Sequence, residues 1–322
     1  MSAVEFDIIR RHFLSRVSPV PGLPVGIGDD GAILSASTTE QAWVMDTLNG
    51  GVHFTADAPA RSIGHRALAV NLSDMVAMGA EPRWALLSLS LPKADEAWLE
   101  AFSDGFFTLA GKAGTTLAGG DLTRGALSVT VSLLGSLHGS RVLRSGARPD
   151  DRILVSGTLG DARAGLELLL DSDSPSDPAH AWLVERHSYP EPPLTLAPIL
   201  AEKATGALDL SDGLVADIDH LLTASGVGAV IESARLPIST ALRRLHGERA
   251  VDLALAGGDD YEILCTADPG QAEALVEAGR EVGVTLTDIG HVSSEPGLSV
   301  LDEQGRTREL PDAYLHFGAA DD

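Results

Sequence analysis

The chain of 322 residues contains a single cysteine, few aromatic residues, and only half as many basic as acidic side chains. One cysteine, Cys265, excludes an intrachain disulfide and any metal site built from several cysteines. Because Cys265 lies in the apolar run YEILCTA, it is expected to be a buried structural thiol. The 46 acidic and 23 basic side chains give a formal net charge of −23, which repels nucleic acid and anionic membranes, so we expect neither as a partner.

Long apolar runs are also missing. No stretch approaches the length of a membrane span, and the N-terminal MSAVEFDIIRR has no signal-peptide core. We therefore expect a cytoplasmic protein. The length suffices for two domains with sizeable cores, and 34 glycines predict many tight turns.

The order of apolar runs predicts two domains, residues 1–143 and 144–322, separated at the polar, turn-rich RSGARPDD. For the first domain we predict a mixed sheet with helices on one face. Its expected helices are VEFDIIRRHFLSR, residues 60–79 and DEAWLEAFSDGFFTLAGKAG, and its expected strands are AILS, AWVMDTL, WALLSLSL, TTLAGGD and LSVTVSLLGSL. In the second domain strands and helices alternate around a solvated loop, DSDSPSDPAH, which predicts an α/β domain. The fold class is therefore α+β or α/β.

The stretch VGIGDDGAIL contains the glycine spacing of a dinucleotide-binding loop. That loop requires a buried strand before it and a helix after it. Here the preceding SPVPGLPV carries three prolines, and the following residues resemble a hairpin more than a helix. The variable positions of the loop are moreover Asp29 and Asp30, which would repel a pyrophosphate. These features argue against the dinucleotide interpretation and leave the two carboxylates to be explained.

Short glycine-bearing turns that carry aspartate recur along the chain beside apolar runs. Asp and Gly are common turn formers, and Asp212 could simply cap the helix that follows it. Their repetition, with so little Asn or Ser among them, favours a shared role at the ends of rigid strands. The turns are GIGDD (Asp29, Asp30), MDTLNGG (Asp46), LAGGD (Asp121), LDLSDG (Asp209, Asp212) and AGGDD (Asp259, Asp260).

Asp74 stands on the apolar stripe of a predicted helix, SIGHRALAVNLSDMVAMG, together with Asn71. A carboxylate at such a position is costly unless it is paired or binds a metal. The alternative is that Arg66 or Arg83 folds over it. Converging carboxylates repel each other, by roughly 4 kcal/mol for two charges about 4 Å apart at an intermediate dielectric, and divalent cations relieve that repulsion.

Hard oxygen ligands without a cysteine cluster or a histidine pair indicate Mg²⁺, which in proteins commonly serves nucleotide phosphates. A non-catalytic Ca²⁺ site is the structural rival, although the chain has no EF-hand or similar repeat. On this interpretation Asp29 and Asp30 bind phosphate through metal.

Taken together, these segments resemble the thiamine-monophosphate kinases, of the superfamily that includes aminoimidazole ribonucleotide synthetase. The likeness runs from VEFDIIRRHF to the terminal AYLHF. Its markers are GIGDD, MDTLNGGVHF, ALAVNLSDMVAMGAEP, LAGGDLTRG, RSGARPDD, LDLSDGL and GGDDYE, in the order of the family.

The resemblance implies transfer of the ATP γ-phosphoryl group to thiamine phosphate, with several Mg²⁺ ions, no phosphoenzyme, and a homodimer built through the N-terminal domains. It also implies roles for individual residues. The implied metal ligands are Asp30, Asp46, Asp74, Asp121, Asp209 and Asp212. The implied contacts to ATP are Gly120, Asp121, Arg144 and Ser211. The implied contacts to thiamine phosphate, the phosphoryl acceptor, are His53, Asp259 and Tyr314, which we call the acceptor contacts.

The chain departs from the family pattern in two places. Relatives often have Ser-Thr where this chain has Val44 and Met45, so that only backbone carbonyls could reach a metal there. The family's Glu in GGEDYE is Asp259, one methylene shorter. Taken alone, His53 is interpreted as a turn residue and Tyr314 as a cover for the core.

The functional hypotheses are therefore three. The leading one is a Mg²⁺- and ATP-dependent kinase of thiamine phosphate. The others are another ATP-using enzyme of the same superfamily and a metal- or nucleotide-binding regulatory protein without turnover. For Arg144, an ion pair with Asp150 at the domain boundary is the alternative to a contact with ATP.

Overall fold

The computed structural model describes residues 7–27, 31–171 and 177–311, and the statements below concern those residues. The chain divides into two compact units, each described here by itself. The first unit comprises residues 1–75 and 80–137, and the second comprises 76–79 and 138–322. The domain limits expected from the sequence, 1–143 and 144–322, stay a prediction.

The first unit contains a four-stranded mixed sheet in the order β1-β4-β2-β3. Strands β2 and β3 run parallel and are joined through a helix, whereas β4 is antiparallel to both of its neighbours, β1 and β2. The mixed sheet predicted from the sequence is confirmed. The strands are β1 (Gln41–Asn49), β2 (Ala80–Leu91), β3 (Thr116–Arg124) and β4 (Ser128–Leu137).

Helices α1 (Ala60–Ala77) and α2 (Glu96–Ala113) contribute many of the buried apolar side chains of this unit. They approach each other closely through two glycines. A Cβ atom on Gly64 would lie 2.0 Å from the carbonyl oxygen of Phe102, and one on Gly105 would lie 1.9 Å from that of Arg61. Any larger residue at either position would force the helices apart.

Side chains along β4 alternate between buried and half-buried positions, since successive residues point to opposite faces. Val129, Val131 and Leu133 of β4 lie on the covered face, and all three side chains are fully buried. On the other face Trp43 and Met45 remain 70% and 66% exposed. One face of the sheet is thus covered and the other presents apolar side chains.

The segment before β1 is less regular than the sequence suggests. The helix predicted near the N-terminus includes a π-helical turn at Ile9–Phe13 and a 3₁₀ turn at Leu14–Arg16. The strand predicted at AILS is wrong, because it reduces to a single antiparallel bridge between Val25 and Ile33. No helix occurs in residues 31–40, which agrees with the argument against a dinucleotide fingerprint.

The second unit contains a six-stranded sheet in the order β10-β7-β9-β5-β8-β6. Only β7 and β10 pair in parallel, so this mixed sheet is mainly antiparallel. The strands are β5 (Arg152–Ser156), β6 (Gly206–Leu210), β7 (Gly228–Glu232), β8 (Glu262–Ala267), β9 (Leu286–Ser293) and β10 (Gly297–Leu301). The helices are α3 (Asp161–Leu170), α4 (Pro178–Ser188), α5 (Ala197–Lys203), α6 (Leu214–Ser225), α7 (Thr240–His246), α8 (Ala250–Ala256) and α9 (Pro269–Glu281).

Both faces of this second sheet are buried. Ile153 and Val155 belong to one apolar cluster, with Ile218 of α6, whereas Leu154 between them belongs to another, with Leu200 of α5. The alternating assignment shows helices packed on both sides. Cys265 lies in the second cluster, where burial raises the pKa of its thiol to about 12, as expected of a structural cysteine.

Helix α4 was not predicted from the sequence, which suggested a loop up to residue 180. The helix begins at Pro178, and the side chain of Asp177 accepts a hydrogen bond from the amide of Ala179. Asp followed by Pro is a typical start signal of a helix. The many polar residues around it obscured the apolar spacing, and this helix proves important for the site.

Candidate functional site

Two of the predicted metal ligands of the first unit lie together. Asp46 of β1 and Asp74 of α1 share a side-chain hydrogen bond. Burial raises the pKa of Asp46, while the hydrogen bond with Asp74 and the charge of His53 act to lower it. Because two ionised carboxylates cannot donate to each other, this pair holds a proton or calls for a cation.

Asp74 occupies the position that the sequence analysis found costly. It is half-buried between fully buried neighbours, Ser73 and Met75. Its contact with Asp46 brings together residues that are 28 positions apart in the sequence. Arg83, one of the two cations considered as its partner, forms an ion pair with Glu81.

His53 lies near enough to this pair for its charge, when the imidazole is protonated, to lower the pKa of Asp46. Its Nδ1 accepts a hydrogen bond of 3.0 Å from the backbone amide of Asn49. In the neutral imidazole the proton is therefore on Nε2, which can donate to another group. A candidate acceptor contact and two candidate metal ligands thus share one part of the first unit.

Asp121 is not part of the same group. The strand register places Asp46, Val131, Leu87 and Gly120 in one row across the four strands. Three strand spacings separate the ends of such a row, roughly 14 Å. One magnesium ion, with ligands at about 2.1 Å, therefore cannot take both Asp46 and Asp121 from the same chain.

Gly120 has no possible substitute in this geometry. Its φ is +149°, and a Cβ atom there would lie 1.8 Å from the carbonyl oxygen of Leu87 on the adjacent strand. Gly120 and Asp121 line a pocket together with Ile9, Phe13 and Ile27. The LAGGD stretch, predicted as a glycine-bearing turn, thus lies inside β3, and it requires glycine at position 120 for its close approach to β2.

In the second unit, Asp209 lies buried near the end of β6, and Ser211 and Asp212 form the turn before α6. Asp217 of α6 reaches back to this turn. Its Oδ2 accepts hydrogen bonds from the amides of Asp212, at 3.0 Å, and Gly213, at 2.9 Å. The N-cap position is Gly213, so Asp212 is not the capping residue considered from the sequence.

Burial raises the pKa of Asp217 to about 7, and the neighbouring charges of Asp209 and Asp212 act in the same direction. Three carboxyl groups therefore share one end of β6. Asp217 was missed from the sequence because it stands inside a helix, not in a glycine-bearing turn. The signal that would have found it is its place in the first turn of the helix that directly follows the SDG motif.

The GGDDYE segment lies beside this turn. The amide of Asp259 donates to the carbonyl oxygen of Ser211, and that of Tyr261 to the carbonyl oxygen of Leu210, both at 2.8 Å. Asp259 is half-buried, and its Oδ1 accepts a hydrogen bond of 3.1 Å from the Tyr261 hydroxyl. A candidate acceptor contact thus adjoins a candidate ATP contact, Ser211.

Sequence reasoning named Asp260 but missed the group to which it belongs. We call this group the buried acid cluster, and it consists of Asp161, Asp260, Glu262 and Arg186. Burial raises the pKa of each of the three carboxyl groups. Arg186 donates to Glu262 at 2.8 Å and supplies the positive charge of the cluster. Asp260 accepts from two backbone amides of the turn that begins α3, those of Gly160 at 2.6 Å and Ala162 at 3.2 Å.

Arg144 is exposed in a short 3₁₀ turn, Arg144–Gly146, and its carbonyl oxygen accepts a hydrogen bond from Ser225. Within the described ranges Arg144 forms no ion pair, with Asp150 or any other acid. The structural ion pair between Arg144 and Asp150, which was the alternative from the sequence, is therefore not formed in the described part of the chain. The Arg144 guanidinium can thus contact an anionic ligand. Three predicted site residues, Asp29, Asp30 and Tyr314, lie outside the described residues.

Among the residues that the structure describes, no three His, Cys, Asp or Glu side chains are grouped closely enough to hold a metal. The donor set nonetheless fits magnesium. Asp46 and Asp74 offer hard oxygen atoms at contact distance, and their mutual repulsion is relieved by a cation. No helix in the described ranges has the length and apolar character needed to cross a membrane.

Comparisons with known proteins place this fold. The AIR synthase related protein N-terminal domain matches residues 28–137, and the corresponding C-terminal domain matches residues 148–303. The two units thus define an AIR synthase related protein. Thiamine-monophosphate kinase of Escherichia coli K12 is 42% identical over 92% of both chains, and that of Bacillus subtilis is 34% identical over 97% of this chain and 99% of its own. The chain belongs to the thiamine-monophosphate kinase family.

Solved structures agree with this assignment. The crystal structure of thiamine-monophosphate kinase from Stenotrophomonas maltophilia is 42% identical, with a TM-score of 0.87 over 96% of this chain and 99% of that one. AaThiL complexed with AMPPCP and TMP is 34% identical, with a TM-score of 0.79 over 90% and 92%. Hydrogenase maturation protein HypE in complex with ATP, at 18% identity, a TM-score of 0.77 and coverage of 95% and 94%, shares the fold alone.

Proposed function

We propose that this chain phosphorylates thiamine phosphate at the expense of ATP, forming thiamine diphosphate and ADP. The observation that carries the proposal is the grouping of Asp46, Asp74 and His53, residues of the family motifs, in one part of the first unit. The relative AaThiL, which was solved with AMPPCP and TMP, supports both substrates.

The reaction is a direct in-line transfer. A phosphate oxygen of thiamine phosphate attacks the γ-phosphorus of ATP, and the bond from that phosphorus to the β–γ bridging oxygen breaks, releasing ADP. Because the attacking phosphate is already ionised at neutral pH, no general base is required. Catalysis then depends on positioning and on neutralising the developing charge.

Mg²⁺ ions complete this proposal. When bound, magnesium would neutralise the negative charge of the phosphate groups. In the first unit Asp46 and Asp74 would bind one magnesium ion. Asp121 of the same chain would bind a different ion. The full set of proposed ligands is Asp29, Asp30, Asp46, Asp74, Asp121, Asp209 and Asp212.

The remaining residues would bind the two substrates. We assign ATP to Gly120, Asp121, Arg144 and Ser211, and thiamine phosphate to His53, Asp259 and Tyr314.

The departure at Val44 and Met45 bears on the metal ligands. Met45 is exposed, and the carbonyl oxygen of Val44 already accepts a hydrogen bond from Ser132 at 3.3 Å. Side-chain oxygens are absent at both positions, so Asp46 carries the metal binding of this motif.

The direct test is to incubate the protein with ATP, MgCl₂ and thiamine phosphate and to measure thiamine diphosphate and ADP by chromatography. Equal amounts of both products are expected. ADP without thiamine diphosphate would indicate another ATP-using enzyme of the superfamily. Tight ATP binding without either product would favour a regulatory protein and overturn the proposal.

Replacing His53 with Ala is expected to raise the KM for thiamine phosphate more than the KM for ATP. The imidazole can donate to the acceptor phosphate, and a charge-assisted hydrogen bond of about 1.5–3 kcal/mol corresponds to roughly 10- to 150-fold. Tyr314→Ala is expected to act on the same substrate more weakly, through loss of ring stacking. Initial rates against each substrate separately provide the measurement. Equal increases in both KM values would show that these residues support the fold instead.

We further propose that the protein is a homodimer in which the exposed face of the first sheet is covered by a second copy. Trp43 and Met45 stand on this face, and a groove there is also lined by Trp84, Leu86 and Leu134. Apolar patches of this kind are typical of interfaces. We also propose that the protein acts in the cytoplasm, where ATP is available as its co-substrate.

Trp43→Asp is expected to convert the dimer to a monomer, because a charge on this face would be buried without a partner. Light scattering coupled to size-exclusion chromatography reports the mass in solution. Leu170→Asp is the matched control, since Leu170 is similarly exposed, at 65%, but lies on α3 of the second unit. A monomeric wild-type protein would contradict the proposal, as would a Trp43→Asp variant that stays dimeric.

A further inference from the structure

The segment that carries Asp259 is strained. Asp259 and Tyr261 have φ values of +70° and +51°, in the left-handed region that side chains rarely adopt. A non-glycine residue stays in such a conformation only where the surrounding structure holds it there, and such residues concentrate at functional sites. Asp259 and Tyr261 are two such residues with only Asp260 between them. Contacts with the surrounding structure therefore determine the direction of the Asp259 side chain.

Several contacts hold the strained segment. On one side its backbone is bonded to the carbonyl oxygens of Leu210 and Ser211. On the other side the buried acid cluster anchors it, because Asp260 and Glu262 both belong to that cluster. Glu262 also accepts a hydrogen bond of 2.5 Å from Ser156. The backbone of the segment is therefore determined by the fold, whereas the carboxylate of Asp259 requires contacts of its own.

Helix α4 reaches the segment through two consecutive residues. Arg186 contacts Glu262, and His187 contacts Asp259, with Nδ1 3.8 Å from Oδ2. Consecutive residues of a helix point about 100° apart, so they engage the segment at two points, one at Glu262 and one at Asp259. His187 is buried, whereas the carboxyl of Asp259 is 27% exposed and open to a ligand.

Each oxygen of the Asp259 carboxylate thus has a different neighbour. Oδ1 accepts from the Tyr261 hydroxyl at 3.1 Å, and Oδ2 faces the His187 imidazole. The distance of 3.8 Å is longer than a direct hydrogen bond and suits a donor that closes onto Oδ2, or reaches it through water, when a ligand binds. Because both oxygens are held by neighbours, the Asp259 carboxylate can approach thiamine phosphate in only one orientation.

We propose that His187 is a positioning residue for thiamine phosphate, which orients the Asp259 carboxylate from the side opposite Tyr261. The inference rests on the function proposed above. It accounts for the use of Asp259 at a position where the family resemblance led us to expect the longer Glu. A shorter carboxylate has less freedom to adjust to its ligand, so its orientation must be supplied by neighbours, here one from its own segment and one from α4.

The test compares replacements of His187 that keep or remove the donor at the position of Nδ1. Asn places its amide nitrogen near that position, whereas Gln places it near Nε2 and Leu provides no donor. We expect His187→Leu and His187→Gln to raise the KM for thiamine phosphate at least several-fold. The KM for ATP should stay close to its wild-type value, and His187→Asn should remain close to wild type for both substrates. Calorimetric titration with thiamine phosphate should show the same order of affinities.

His180→Leu is the matched control. His180 is a buried histidine on the same helix, two turns earlier, and no contact with the Asp259 segment is found for it among the described residues. Its replacement should lower the melting temperature. It should not raise the KM for thiamine phosphate relative to the KM for ATP. In an Asp259→Ala background, His187→Leu should have no further effect on the acceptor KM, because the group through which it acts is gone.

The outcomes separate this inference from the proposed function. If the wild-type protein makes no thiamine diphosphate, both are overturned. If it makes the product and His187→Leu and His187→Gln leave the acceptor KM unchanged, only the inference falls. Equal increases in both KM values would likewise overturn it, as would loss of activity in His187→Asn to the level of His187→Gln. Should His187→Leu fail to fold, the comparison of Asn with Gln decides.

Discussion

Asp74→Asn is expected to abolish kinase activity while leaving the fold intact. The amide of Asn can donate to the Asp46 carboxylate, so the contact between β1 and α1 survives. The substitution removes one negative charge from the pair of Asp46 and Asp74. Two ionised carboxylates this close repel each other unless a cation or a proton lies between them. We expect kcat/KM to fall roughly a hundredfold or more, equal to about 2.7 kcal/mol of transition-state stabilisation.

The same variant should be as stable as the wild type, or more stable, when no Mg²⁺ is present, because carboxylate repulsion is lost. Adding Mg²⁺ should raise the melting temperature of the wild type and raise that of the variant less. Thermal unfolding with and without Mg²⁺, alongside initial rates, provides both measurements. Asp57→Asn, at an exposed turn of the same unit, is the control for removal of one charge. Near-normal turnover in Asp74→Asn would show that Asp74 is a structural residue.

The second large effect is expected for Gly120→Ala. The added methyl group would lie 1.8 Å from the carbonyl oxygen of Leu87 and 2.7 Å from its carbonyl carbon, so strands β2 and β3 would have to separate. Backbone atoms cannot move aside as a flexible side chain does. We expect destabilisation on the order of 3 kcal/mol, with a loss of roughly 6–12 °C in melting temperature.

Activity should fall more than stability alone explains, because the displaced β3 carries Asp121. At a temperature where the variant is folded, its KM for ATP should rise while the KM for thiamine phosphate changes little. Gly119→Ala is a close control, since the nearest atom to its added Cβ is the end of the Leu86 side chain, at 3.3 Å. If Gly119→Ala and Gly120→Ala behaved alike, the close approach at Gly120 would not be what the site depends on.

Local patterns in the sequence identified much of the chemistry. Aspartates in glycine-bearing turns and a carboxylate on an apolar helix stripe pointed to a phosphate-binding site with hard cations, before any residue was placed in space. The helix of Asp74 and the strand of Asp46 were both predicted, because apolar spacing is written over a few consecutive residues. Helix α4 and the strand predicted at AILS show the limit of that signal, which weakens where polar residues, proline or glycine dominate.

By itself, the sequence determined the elements that carry the candidate residues and the kind of ligand those residues suit. Only the tertiary structure decided which of them meet. It paired Asp46 with Asp74, set Gly120 three strands away, placed Asp217 behind the SDG turn, and brought His187 to Asp259. These contacts depend on strand order, register and the close packing of helices, which arise from side chains far apart in the chain. The spacing of apolar residues along the chain predicts whether a segment is a helix or a strand. It does not predict which other element that helix or strand packs against.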